Sequence, residues 1–383
     1  MSHPLLIGDR PAVVLAPMAG ITNRAYRQLC REASAELYPA GGAALYVSEM
    51  ITSRALIERD AETLRMTQFG DFESPRSIQL YGVDPDIVGA AVKMIVDENR
   101  ADHIDLNMGC PVPKVTKKGG GSALPWKRDL FRAIIRSAVK NARGEVPITV
   151  KMRKGIDHDH LTYIDAGIAA AEEGVAWVAL HGRTAIDLYS GQADWSAIKH
   201  LKDTLRPLGV PVLGNGDVWG GADAARMLAE TDCDGVVIGR GCLGRPWMFG
   251  QVSAALDGAP IPPNPHSDDV FRIMVRHAEL LVDFVGDETH GCREMRKHMA
   301  WYTKGFRVGG ETRHALAMIS SIAELEQLLG TIEPQAYPDF VAEGPRGRTS
   351  GAKAVALPDG WLDSCELGVG YDMSDAEIGV SGG

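Results

Sequence analysis

No stretch of about 18 consecutive apolar residues occurs in the 383-residue chain, so no transmembrane helix is expected. CxxC pairs are missing as well. The six cysteines, Cys30, Cys110, Cys233, Cys242, Cys292 and Cys365, are scattered, which suits a reducing compartment and argues against a disulfide framework. The opening, M-S-H-P-L-L-I-G-D-R, lacks a charged segment followed by an apolar one, so no secretory signal is expected and a cytoplasmic location is. Positive charge is not in excess: the net charge of −10 argues against a generally basic nucleic-acid binder, and any RNA contact must come from a local patch. His290, Cys292 and His298 lie close together but match no familiar zinc spacing, so no metal is expected.

What is present is an alternation of short apolar runs with longer amphipathic stretches. The runs are Ala12–Ala16, Ala44–Val47, Ser77–Leu80, His103–Leu106, Pro147–Lys151, Trp177–His181, Val212–Gly214 and Gly235–Ile238. Helical periodicity marks Asp84–Asn99, Lys127–Asn141, Asp159–Glu173 and Gly221–Glu230. The pattern predicts an α/β fold, a (β/α)₈ TIM barrel, over residues 1–258. A doubly wound sheet would normally carry fewer strands in this order. After the proline-rich Pro260–Pro265, helices are predicted at Asp268–Val285, Cys292–Lys304 and Ala315–Leu329, a small all-helical domain over 266–332. Beyond about Glu333 periodicity vanishes, and 333–383 reads as an irregular or disordered extension.

The strand ends carry the chemistry. In D-L-N-M-G-C-P-V-P, Asp105 to Pro113, an apolar run stops abruptly and delivers Asn107 and the thiol of Cys110 to the barrel edge where catalytic groups sit. Pro17, Met18 and Ala19 end the first strand, Gln79 the third, Lys151 and Arg153 the fifth, His181 and Arg183 the sixth. Asn215, Gly216 and Asp217 end the seventh, and Gly239, Arg240 and Gly241 the eighth. Glycine-rich loops after strands seven and eight expose backbone N–H groups and suit a phosphate, with Arg240 adding charge. A phosphate site together with Lys151 suggests FMN, whose reduced ring gathers negative charge that an ammonium stabilises. Gln79 would meet the pyrimidine edge of the ring, and Pro17-Met18-Ala19 would offer a small flat surface.

Several blocks resemble the tRNA-dihydrouridine synthase family. They are A-P-M-A-G-I-T-N at Ala16–Asn23, D-L-N-M-G-C-P at Asp105–Pro111, K-G-G-G-S-A-L at Lys118–Leu124 and H-G-R-T at His181–Thr184. Y-S-G-Q-A-D-W at Tyr189–Trp195, N-G-D at Asn215–Asp217, I-G-R-G at Ile238–Gly241 and R-K-H-M-A-W-Y-T-K-G at Arg296–Gly305 complete the series. The resemblance spans about residues 11–330 and stops before the extension. It implies FMN-dependent reduction of a D-loop uridine in tRNA, with NADPH as reductant and a monomeric enzyme. Cys110 would then be the general acid that protonates C5 of uracil after hydride reaches C6. Asn107 would hydrogen-bond uracil or flavin, and Lys151, Arg153, His181 and Arg183 would surround flavin and base. For Tyr189, contact with substrate and a packing role stand equally open.

Between Arg293 and Arg313, Arg293, Arg296, Lys297, Lys304, Arg307 and Arg313 are opposed only by Glu294 and Glu311. Interleaved with them are His298, Trp301 and Tyr302. Such a segment would grip phosphate and stack on extruded bases, with Arg296, Lys297, Trp301 and Tyr302 the expected contacts. The competing readings are an FMN barrel acting on a free pyrimidine, which would not need this segment, a flavin-free aldolase or isomerase barrel, and an RNA-binding protein with vestigial chemistry.

Overall fold

The computed structural model describes residues 10–41, 44–347 and 351–367. Residues 1–9 of the opening read for a secretory signal, and 368–383 of the extension, lie outside them.

Short runs of β-branched and small apolar residues form eight strands: β1 (Ala12–Leu15), β2 (Leu45–Thr52), β3 (Ser77–Tyr81), β4 (His103–Met108), β5 (Ile148–Arg153), β6 (Val178–His181), β7 (Val212–Asn215) and β8 (Gly235–Ile238). Each pairs in parallel with the next, and β8 pairs with β1, closing the TIM barrel that the alternation predicts. The closure is tight. A Cβ on Gly235 would stand 2.3 Å from the carbonyl oxygen of Ala12, so a side chain there would push the two strands apart.

Alternate residues of each strand face the interior. Val14, Ala16, Leu45, Val47, Trp177, Ala179, Leu213 and Val237 fill one part of it with an apolar cluster. A hydrogen-bonded polar chain occupies the part lined by β3, β4 and β5. Ser77 Oγ meets His103 Nδ1 at 2.7 Å, and His103 Nε2 meets Thr149 Oγ1 at 2.9 Å. Thr149 Oγ1 donates to Asp105 Oδ1 at 2.6 Å, and Gln79 Nε2 donates to Asp105 Oδ2 at 2.8 Å. Satisfied in this way, the chain avoids the penalty for burying polar groups alone.

Local chemistry sets the helix starts. Asp84 caps Pro85–Asp97 and Asp194 caps Trp195–Leu205 through their carboxylates. The helix expected from Asp159 begins at Tyr163, because Asp157 Oδ1 accepts the N–H groups of Asp159 and His160 and holds a turn there. β2 runs past its expected end at Val47 through a register irregularity between Val47 and Met50. The helix expected over Ala315–Leu329 is two helices, Gly310–Leu316 and Ile322–Leu329, the second capped by Ser321.

Ser267–Val285 and Glu288–Tyr302 pack against the barrel helix Arg24–Leu37. Tyr26 anchors that contact, its ring 5.4 Å from His277 and 5.8 Å from His298. Among the described residues no helix is long and apolar enough to cross a membrane. Residues 351–367 run along the rim formed by the loops after β4 and β6, where Lys353 N donates to Ile186 O and Trp361 is buried.

Candidate active site

β4 places its last polar side chain, Asn107, at the C-terminal mouth of the barrel. Asn107 Nδ2 donates to Gln79 Oε1 at 2.9 Å, extending the interior chain upward. Asn107 Oδ1 accepts the N–H of Gly109 at 3.2 Å and of Cys110 at 3.0 Å, which turns the chain sharply and presents the thiol. Below the turn, the Cys110 carbonyl accepts from both Ser122 N, at 3.0 Å, and Ser122 Oγ, at 3.1 Å. Arg153 Nε donates to Gly109 O at 3.1 Å. Burial raises the Cys110 thiol above its ordinary value, outweighing the N–H of Val112 and the charges of Arg153 and Lys151. It is therefore a neutral thiol at neutral pH, the form that can give up a proton.

Beside the thiol, positive charge is concentrated. Burial pushes the Lys151 ammonium down to about 8, with Arg153 acting in the same direction. Burial also lowers Arg153, to about 10. His181 is held well below its usual range by burial and then by Arg153, Lys151, Arg183 and Arg240, so it is a neutral imidazole. Opposing these four cations is Asp217, paired with Arg183 at 2.8 Å and lying 3.7 Å from Arg240. Lys151 Nζ makes no hydrogen bond or ion pair with any side chain among the described residues. A half-buried ammonium beside the Arg153 guanidinium, without a side-chain hydrogen bond of its own, fits an anionic ligand.

The loops after β7 and β8 are shaped for close approach. Gly216 has φ of +118°, and a Cβ there would stand 2.6 Å from Ala193 Cβ. Asp217 follows at φ 55°. Over Gly239 the space is open, a Cβ meeting only Ala16 Cβ at 3.7 Å. Asn215 Nδ2 donates to Val237 O at 2.6 Å and braces the two strand ends. Pro17 and Met18 line the same mouth half-buried, and Ala19 is exposed beside them.

Other expected contacts are committed to the protein itself. Gln79 is buried with both ends of its amide bonded, to Asp105 and Asn107. Arg183 donates to Ser190 O and Gly191 O as well as to Asp217. Tyr189 lies half-buried between the Arg240 and Arg153 guanidinium groups, at 4.3 and 5.6 Å, a packing position at the rim.

In the helical region the expected face divides. Arg293 and Lys297 are exposed, and Lys297 Nζ reaches to 3.8 Å from where a Cβ on Gly20 would be, at the barrel mouth. Arg296 spends its guanidinium on Ile319 O and Met318 O. Trp301 is half-buried, its ring 5.2 Å from His298. Tyr302 is not on this face. It is buried and its hydroxyl meets His277 Nδ1 at 3.1 Å, because its helix turns that side toward the barrel.

Asp105 carries no role in the motif that contains it, and Thr149 and Glu49, whose carboxylate accepts Gly20 N at 2.7 Å, belong to no motif. The alternation His103, Asp105, Asn107 along one strand face is the signal that would have found the interior chain.

The sequence model of the dihydrouridine synthase family matches residues 14–337, from β1 to the end of the helical region. The chain belongs to the dihydrouridine synthase family. A Mycobacterium leprae protein named a probable tRNA-dihydrouridine synthase is 50% identical, the match covering 95% of this chain and 100% of that protein. A Mycobacterium tuberculosis protein of the same name is 52% identical over 94% of this chain and 92% of its own length. A Pseudomonas syringae protein named tRNA-dihydrouridine synthase B is 39% identical, over 88% of this chain and 93% of that one. As a dihydrouridine synthase the chain is an oxidoreductase, and all the strand-end loops described above fall inside the matched region.

Proposed function

We propose that this enzyme reduces a D-loop uridine in tRNA to 5,6-dihydrouridine, with FMN as cofactor and NADPH as the source of electrons, as a cytoplasmic monomer. The observation that carries the reading is a neutral thiol, Cys110, held at the barrel mouth beside Lys151 and Arg153. A flavin held by these residues would supply the hydride for C6 of the target uracil. Cys110 gives its proton to C5, so the C5–C6 double bond is consumed and the thiolate is reprotonated from solvent. Keeping the thiol neutral holds that proton available, a contribution of roughly 10²–10⁴-fold for a general acid. Lys151 would hold the pyrimidine end of the flavin ring and compensate its negative charge. Arg240, Gly216 and Gly239 would hold the phosphate, and Pro17-Met18-Ala19 the ring face. Asn107 positions Cys110, and Arg153 ties the same turn to β5. The exposed Arg293 and Lys297 would grip the tRNA backbone near the mouth, supported by the nearness of Lys297 to Gly20.

Cys110→Ala tests the reading. The variant should keep its yellow flavin and its reduction by NADPH while dihydrouridine formation in tRNA falls at least about 10²-fold. Full turnover by this variant, or purified protein that takes up no FMN, would remove the proposal.

A further inference from the structure

A single aromatic side chain from the far end of the chain is built into the loop beneath Cys110. Pro358-Asp359-Gly360 forms a turn, with Gly360 at φ +67° and Trp361 N donating to Pro358 O at 3.1 Å. The turn drives Trp361 inward until the residue is 1% exposed. Its indole covers the backbone of Gly119, where a Cβ would lie 2.4 Å from the ring, so residue 119 must be glycine for the tryptophan to seat. Indole Nε1 donates to Ala123 O at 3.0 Å. Lys127 lies 5.1 Å from the same ring and donates onward to Ser364 O and Glu366 O. Arg128 N donates to Cys365 O at 2.9 Å, closing the clasp.

Between Gly119 and Ala123 lie the residues that hold Cys110. Ser122 bonds the Cys110 carbonyl twice, and a Cβ on Gly121 would stand 2.4 Å from that carbonyl oxygen and 3.1 Å from Cys110 Cβ. The loop is therefore fixed on two sides, by Trp361 from without and by the Cys110 backbone from within.

We propose that Trp361 is a positioning residue for Cys110, acting through Gly119–Ala123 to set where the thiol stands over the substrate base. The inference rests on the reading of Cys110 as the proton donor. The clasp contributes no reacting atom. It removes the loop's freedom to drift, and drift matters because a misplacement of about 1 Å at a reacting group can cost on the order of 10²-fold in rate.

The test uses the full-length, FMN-loaded protein with Trp361→Ala, Trp361→Phe and Cys110→Ala. Trp361→Ala should lower kcat for uridine reduction by about ten- to a hundredfold, with KM for tRNA and the rate of flavin reduction by NADPH held near wild type. Alkylation of Cys110, followed on its own peptide by mass spectrometry, should accelerate in Trp361→Ala. Its pH midpoint should move down, because water reaches a thiol whose value burial now raises. A purely structural role would lower flavin content and melting temperature without moving that midpoint. Trp361→Phe keeps the ring over Gly119 and loses only the bond to Ala123, so it should recover most of kcat and fall short by about two- to tenfold. Should Trp361→Ala fail to fold, Trp361→Phe carries the same two readouts. Wild-type kcat and wild-type alkylation in the folded tryptophan variants, with Cys110→Ala inactive, would overturn the positioning role alone. An active Cys110→Ala would overturn the acid assignment instead.

Discussion

The backbone N–H of Cys110 donates to Asn107 Oδ1 at 3.0 Å, so the thiol's loop is tied to the barrel interior by one carboxamide. That amide also donates to Gln79, which donates to Asp105. Asn107→Ala strands the Gln79 carbonyl and the Cys110 N–H together, and each unsatisfied buried group costs about 1–3 kcal/mol. The expected outcome is a lower melting temperature and at least tenfold slower dihydrouridine formation, about the size of one lost positioning contact. FMN content should be retained, because Asn107 lies on the thiol side of the site. Thermal melting and single-turnover kinetics check it.

Lys151→Met keeps the length of the side chain and removes the half-buried ammonium, whose value desolvation lowers to about 8. FMN should bind more weakly, and flavin reduction by NADPH should slow by about 10²-fold, the usual cost of removing one preorganised charge-stabilising donor. Fluorescence titration of FMN and stopped-flow reduction report the two effects separately. Unchanged values in both would take Lys151 out of the cofactor site.

Stability should fall in mild acid through two buried histidines. Burial lowers His277 to about 3 and His298 well below its usual 6.5, with Lys297 adding to both. The folded state then binds fewer protons than the unfolded chain, so stability is full above about 6.5 and is lost as pH drops toward 3. Each group steepens the slope by about 1.4 kcal/mol per pH unit in that window. Chemical denaturation at stepped pH should show the slope, and His277→Phe should flatten it. An equal slope in that variant would place the acid sensitivity elsewhere.

RNA grip should reside in the exposed cations of Glu288–Tyr302 and not in Arg296, whose guanidinium is bonded to backbone carbonyls. Replacing Arg293 and Lys297 by Ala should weaken tRNA binding and flatten the salt dependence, by about 0.7 to 0.9 log–log units per lost phosphate contact. NADPH oxidation by the loaded enzyme should not change. Binding isotherms at several salt concentrations decide it.

The eight strands were legible because each is a short apolar run bounded by turn residues, as at A-V-V-L and G-V-V-I. β2 was legible only as far as Val47, since Ser48 and Glu49 break its apolar pattern where the chain bends toward the mouth. The break near Ser321 was hidden by apolar spacing that continues across it, although the serine and Glu324 form a recognisable cap. Tyr302 read as a surface aromatic because sequence shows which residues are basic but not which way a helix is turned. Trp361 escaped notice for another reason. A segment with one fully buried side chain has no periodicity to detect, and only the turn Pro358-Asp359-Gly360 marks it.

The pairing of β1 with β8 also sets an order on events at the ribosome. β1 emerges first and gains one neighbour when β2 follows, but its other edge stays open until Ile238 has been made. At about 5–20 residues per second, that apolar edge waits roughly ten seconds to most of a minute. An unpaired strand edge is a template for wrong partners. Slowing translation ahead of β8 should therefore increase aggregation of nascent chains more than slowing it afterwards.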